Sequence, residues 1–355
     1  MDVRALLRKE ALTVRRNAGL FVVVLVLLPA MLTGVTGVYE RSIPEDVPVG
    51  VVPADDNTSE TELAVTRTGV DSFATPVTYD TRAAARDGLA REEVYLVVAV
   101  PPDLGTEGAD VEFTVVTDRT MVPFEEPANL SVAALDRRLD DALVSDVTVT
   151  HDRLGDQRVL TAYLIPVCLV AFVLVYGLVF VPYQVRSERL VLDRLQTTSR
   201  LETVLATKIA FYGALTIVPI AVAALVASWM GFDIATLSVF SSVSLILTFV
   251  LVAAVGLTIL FAMRLRRLAL FANVGLLFAL LSLSSVVYPV GFFSPTRKAI
   301  ARTLPTHYAT VATRSAMLRD APMALYADYL LWVAGAAVLA LGGLVLALSY
   351  YRRRQ

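Results

Sequence analysis

Few side chains in this sequence are suited to covalent or metal chemistry. There are two histidines, His151 and His307, and one cysteine, Cys168. A single cysteine excludes an intramolecular disulfide and any cysteine-cluster metal site. His151 stands alone beside Asp152, and a lone surface histidine is ordinarily solvated. No HExxH occurs, and no glycine-flanked serine of a nucleophile elbow. The Walker A pattern, GxxxxGK followed by Ser or Thr, is also absent, so the chain has no phosphate-cradling loop of that kind. What remains is a charged segment at 186–202, with Glu188, Arg189, Arg194, Arg200 and Glu202 interleaved with Leu190, Leu192, Leu195 and Leu201. Its chemistry is electrostatic. A short charged helix held between two larger elements suits docking and the transmission of force.

The elements around that segment belong to a membrane. Hydrophobic residues make up 56% of the 355 residues and charged ones 18%; the mean hydropathy is +0.65. Six stretches lack Asp, Glu, Lys and Arg: 17–39, 159–185, 209–232, 234–263, 268–296 and 329–351. A helix crosses the roughly 30 Å hydrocarbon layer with about 20 apolar residues, so each is long enough to span. Six such runs in a soluble protein would leave too little polar surface. No charge interrupts any of them, which argues against an intramembrane proton relay.

Short loops assign the sides, because cytoplasmic loops keep an excess of Lys and Arg. Arg4, Arg8, Lys9, Arg15 and Arg16 precede the first run. Bases also fill the loop 186–208, the turn Arg264, Arg266 and Arg267, and the tail 352–355. All four are expected inside, which puts both termini in the cytoplasm. Residues 1–16 carry Val3, Leu6, Leu7, Ala11 and Val14 at helical spacing, as a helix lying on the headgroups would. The segment 297–328 resists the rule. It is expected outside yet carries Arg297, Lys298, Arg302, Arg314 and Arg319, and its polarity suits short helices at the outer interface better than a span.

Residues 40–158 hold 25 of the 33 acids but 10 of the 31 bases, a net charge of −15, and the rest of the chain is basic. This part reads as a soluble α/β domain. Strands are expected at 47–52, at Val77 and Tyr79, at 94–100 as a buried central strand, and at Val111, Phe113 and Val115. Helices are expected at 58–68 and 81–90, the latter capped by Asp80 or Thr81. Leu135, Leu139, Leu143 and Val147 suggest a helix leading into the second run, although the β-branched 147–150 argues against continuing it.

The segment after the second run resembles the corresponding loop in membrane subunits of type 2 ABC transporters. The likeness rests on Glu188, the short helix 190–195, Thr197, Ser199, Arg200 and Lys208. In that family the short helix fits a cleft on the ATPase subunit, which implies ATPase-coupling roles for Glu188, Arg189, Leu192, Arg194, Leu195, Thr197, Ser199, Arg200 and Lys208. A second likeness joins Tyr288-Pro289 to Leu304-Pro305-Thr306-His307-Tyr308 and Arg314. Family permeases end the fifth span at an aromatic-Pro pair and run through outer interfacial helices to such a motif, which implies that Pro289, Pro305, Thr306, Tyr308 and Arg314 are motif positions and sets His307 at the interface. The layout resembles the branch with a large extracytoplasmic domain seen in sodium- and drug-efflux permeases.

The expected fold is therefore a polytopic α-helical membrane protein of six transmembrane helices, with an α/β extracytoplasmic domain between the first and second. The resemblance implies a permease subunit of an ABC exporter in the plasma membrane and no enzyme activity. It implies no cofactor in this chain, since ATP and Mg would be bound by separate ATPase subunits. The other partners implied are a second permease copy or paralogue and membrane lipid, with no nucleic acid. Tyr176, Tyr183 and Asn273 are polar groups suited to lining a route. A receptor that uses the outer domain, and a secondary transporter, are the alternative readings.

Overall fold

The computed structural model describes residues 46–104, 106, 110–129, 132–133, 146–190 and 200–353. The expected helix at 1–16, the first span at 17–39, and Leu192, Arg194, Leu195, Thr197 and Ser199 of the charged loop lie outside them.

The first described body is a five-stranded sheet. Its strands are β1 (Pro48–Pro53), β2 (Thr75–Thr78), β3 (Leu96–Val100), β4 (Asp110–Asp118) and β5 (Asp146–Leu154), in the order β2-β1-β3-β4-β5. Only the β3–β4 pair is antiparallel. The apolar run at 94–100 is continuous because β3 is central and covered on both faces. Its alternation sends Leu96, Val98 and Val100 to one core, with Val49, Val51 and Phe113. Val97 and Ala99 go to the other, with Val52 and Val116. Helix α1 (Glu60–Asp71) covers the first face with Leu63 and Val70 and starts in a capping box between Ser59 and Glu62. Helix α2 (Arg82–Ala90) covers the second with Ala85 and Leu89, and the Thr81 side chain caps it.

One expectation needs correction. Leu135, Leu139 and Leu143 lie outside the described residues, but Val147 does not continue a helix into the second apolar run; 146–154 is strand β5, parallel to β4. Val147, Val149 and the alternating threonines suit a pleated surface, and β-branching outweighs the four-residue leucine spacing.

The second body is helical. Helix α3 (Leu160–Val175), a π-turn (Tyr176–Phe180) and α4 (Val181–Ser187) run on as one rod. Pro182 explains the π-turn: without an N–H it cannot complete the ladder, and the Val181 N–H reaches the Tyr176 carbonyl instead. Next come α5 (Leu201–Leu215) and α6 (Ile217–Trp229), then α7 (Val239–Ala262), α8 (Arg267–Leu283), α9 (Pro295–Ala301), α10 (Pro305–Leu318) and α11 (Ala327–Arg352). Helix α7 is the hub and packs against α11, α10, α5 and the α3–α4 rod.

Among the described residues, four helices are long and apolar enough to cross a membrane: Leu160–Ser187, Leu201–Trp229, Val239–Ala262 and Met323–Arg352. Helix α8, expected to run over 268–296, stops after 17 residues, because Ser284 and Ser285 leave the helix and Ser285 takes a positive φ of 52°. The helix expected as the third span opens at Leu201, not at 209, so Lys208 lies two turns inside it.

The two bodies share one core. Val47, Tyr95, Met121 and Phe124 of the sheet body pack into the same cluster as Tyr163, Val286 and Met317 of the helical body. The Tyr95 ring lies 5.1 Å from Phe124, which meets Phe292 edge-on at 5.7 Å.

Candidate functional site

Charged and polar groups converge at the two ends of the bundle. At the end far from the sheet, Lys208 Nζ donates to Glu188 Oε2 at 2.7 Å. This brings the start and finish of the charged loop together. Arg186 Nε donates to the Leu265 carbonyl at 3.0 Å, tying the same loop to the turn between α7 and α8. Arg264 and Leu265 in that turn take positive φ angles. Arg352 pairs with Glu202 on α5. Arg200 stands at the extended N-cap position of α5, and Arg189 and Leu190 project into solvent. Among the described residues this end is strongly basic, with Glu188 and Glu202 as paired exceptions.

At the sheet end, Ser284 and Ser285 face the start of α10. Ser284 Oγ lies 2.5 Å from Thr306 Oγ1, and Ser285 Oγ lies 2.7 Å from His307 Nδ1. Pro305 occupies the first turn of α10, where a missing N–H is harmless. Pro289 precedes a 3₁₀ turn at Val290–Phe292, and Tyr308 Oη donates to the Arg302 carbonyl at 2.7 Å. His307 is buried within the protein. It is 6% exposed, and burial, with Arg314 and Arg302 nearby, pushes its imidazole down to about 3. The whole of α10 from Ala309 to Leu318 is buried against α7, α11 and α3 instead of lying on a surface. Ala309, Ala312, Thr313, Ser315 and Ala316 let those helices approach closely. Ser244 Oγ on α7, for example, reaches Thr313 Oγ1 at 2.8 Å.

The sequence reading does not anticipate the partner of Arg314. Arg314 Nε lies 3.1 Å from Glu92 Oε1, and both side chains are 1% exposed. Arg314 also donates to Tyr163 Oη on α3 and to the Ser285 carbonyl. Arg319 spans Glu92 at 3.4 Å and Asp118 at 2.6 Å. Glu92 occupies the residue after the C-cap of α2, with φ 57°, where glycine is usual. Its N–H reaches the Leu89 carbonyl and that of Glu93 reaches Gly88, closing a Schellman turn. The same helix end is capped from the other body: Tyr326 Oη and Ser315 Oγ both donate to the Ala90 carbonyl. Arg91 completes the joint, holding Asp328 at 2.6 Å and Glu93 at 2.8 Å while lying 4.4 Å over the Tyr329 ring.

These pairings account for bases in 297–328 that the loop-charge rule leaves unexplained. Arg314 and Arg319 are consumed by Glu92 and Asp118 of the acidic body, and Lys298 Nζ donates to the Asp46 carbonyl at 2.6 Å. The signal was present in the sequence as an acidic domain beside a misplaced basic segment, but the pairing register was not.

Within the bundle, Asn273 Nδ2 donates to the Gly256 carbonyl at 3.1 Å. Tyr176 is half-buried among Phe172, Phe180, Tyr212 and Phe249, whereas Tyr183 is 53% exposed. No group of three or more His, Cys, Asp or Glu suited to a metal ion occurs among the described residues.

Compared with known proteins, the chain matches a family model described as ABC-2 family transporter protein over residues 19–348. No curated protein and no solved structure matches it.

Proposed function

This chain belongs to the ABC-2 family of transporter proteins, and on that premise we propose that it is the permease subunit of an exporter driven from the far end of the bundle. Members of the family are membrane subunits of ABC transporters, and membership implies pairing with an ABC ATPase. The proposal adds a direction, a docking segment and an orientation. The sheet body faces outward and both termini face the cytoplasm. Two copies, or one copy and a paralogue, form the route within membrane lipid. The loop 186–208 receives the push of the ATPase through Glu188, Arg189, Arg194 and Arg200.

The observation that carries this reading is the Glu188–Lys208 ion pair. It joins the end of one span to the second turn of the next, so a load on the intervening segment acts on both spans at once. The pair is partly exposed, so it adds at most about 1 kcal/mol to stability, and a docking function accounts for the charges better than a purely structural one.

The test is co-purification from the native membrane. The solubilised parent should bring down an ATPase, and a Glu188→Lys, Arg194→Glu variant should lose it while keeping its melting temperature. Retention of the ATPase by that variant would overturn the docking segment. A folded parent that brings down no nucleotide-binding partner would overturn the exporter reading.

A further inference from the structure

A cavity of about 640 Å³ opens where the edge strand β2 faces the start of α11. Its wall includes Tyr79, Tyr308, Tyr329 and Trp332, with Arg91 and Arg302 as its cations and Glu92, Glu93 and Asp328 as its acids; Glu92 is held by Arg314 and Arg319. Arg91 is held by Asp328 and Glu93. Arg302 sits on no carboxylate among the described residues and is exposed. The cavity therefore offers one free guanidinium among aromatic walls.

Its place relative to the bundle is equally specific. Trp332 lies in the second turn of α11, which is itself one of the helices able to cross a membrane. Tyr and Trp at the end of a span mark the depth of the lipid headgroups. Trp332 also begins a stripe. Leu339 and Leu346 follow at seven-residue intervals, on the same helix face, and are 78% and 72% exposed. Leu331 and Val338 flank them at 71% and 67%. A cup with one unpaired guanidinium, Arg302, at headgroup depth thus continues into an apolar track along the span.

We propose that this cavity binds the phosphate headgroup of a phospholipid from the leaflet on the sheet side, with Arg302 on the phosphate and an acyl chain along Trp332, Leu339 and Leu346. A soluble phosphate ester would use the cup but not the track, and a chain without a phosphate would use the track but not the cup. The proposal is independent of the exporter reading, since it needs no ATPase and no direction of transport.

The test uses the full chain in phosphatidylcholine nanodiscs doped with phosphatidylglycerol that carries a photoreactive diazirine on its acyl chain. Mass-spectrometric mapping should find adducts concentrated on α11 around Leu339 and Leu346. They should fall about tenfold in Arg302→Gln, as expected for losing a charge-assisted contact, and recover in Arg302→Lys. Thr75→Trp, on the exposed edge strand, should fill the cup and give the same loss by a different route. Diazirine-labelled diacylglycerol should label the stripe weakly, and glycerol 3-phosphate should not displace the lipid.

Equal labelling by diacylglycerol, or by Arg302→Gln and Thr75→Trp alike, would reduce the stripe to ordinary lipid contact and overturn the proposal. Displacement by glycerol 3-phosphate at millimolar concentration would make this a soluble-anion site. Cross-linking of the stripe to residues 17–39 or to a second copy, in place of lipid, would show the track to be covered by protein.

Discussion

At the scale of single residues, the densest information lies at Glu92. A non-glycine residue at positive φ after a helix costs about 1 kcal/mol of backbone strain, and here it places a carboxylate between Arg314 and Arg319. Replacing Glu92 with Gln leaves two buried guanidinium groups short of charge and should destabilise the protein by about 3–5 kcal/mol, since breaking a buried pair costs far more than never having formed it. Adding Arg314→Met should restore part of that loss, and thermal unfolding of both variants in detergent checks it. Additive losses in the double variant would refute the pairing. His307 supplies a second readout. Its imidazole is held neutral in the fold, with a pKa of about 3, against about 6.5 in an unfolded chain. The unfolded state therefore binds the extra proton, so the stability is fully present above pH 6.5 and is lost as the pH falls toward 3. His307→Asn should flatten the melting temperature between pH 7.5 and 4.5, where the parent declines; an unchanged slope would assign the decline to other groups.

At the scale of elements, the π-turn and α7 approach each other closely. A Cβ on Gly177 would lie 2.5 Å from Val252 Cγ2 and 3.0 Å from the Ala253 backbone nitrogen, and one on Gly256 would lie 3.2 Å from the Gly177 carbonyl oxygen. Gly177→Ala should thus destabilise by about 1–3 kcal/mol through overpacking, although alanine is normally the better helix former. Gly275→Ala on α8 has nothing within 4 Å and should be neutral or stabilising. Equal melting temperatures for the two variants would contradict the close approach. These elements also divide what the sequence made legible from what it did not. The strands β1 and β3, helices α1 and α2 and the long apolar rods were readable because periodicity and composition act locally. Strand β5 was legible only as a β-branched break at 147–150, because its pairing depends on β4, thirty-six residues earlier. The burial of helix α10 within the bundle was not legible because its threonines, serine and arginine look polar in isolation, and only the acids of another body make their burial tolerable. Glu188 and Lys208 were each marked in the loop, though not their pairing, whereas Glu92, Asp118 and Tyr163 had no local mark at all.

At the scale of the whole molecule, the rod Leu160–Ser187 connects the two candidate regions. Near one end Tyr163 accepts from Arg314 at the joint, and near the other Arg186 grips the α7–α8 turn beside Glu188. At about 1.5 Å per residue such a rod is about 40 Å long, so a displacement at the charged loop has a direct mechanical line to the sheet body. The sense of that line depends on orientation, and the charge distribution argues for one. Arg186, Arg189, Arg200, Arg264, Arg266, Arg267, Arg352 and Arg353 gather at the far end, while at the sheet end Arg314 and Arg319 are paired with Glu92 and Asp118. Free cations belong on the cytoplasmic side. Cysteine labelling decides it, after Cys168→Ser removes the native thiol, which is exposed on α3. In that background a membrane-impermeant maleimide should modify Asn57→Cys, on the exposed loop before α1, in intact cells. Arg189→Cys should react only after permeabilisation. The reverse pattern would invert the molecule, place the sheet body in the cytoplasm, and leave the basic end without access to an intracellular motor.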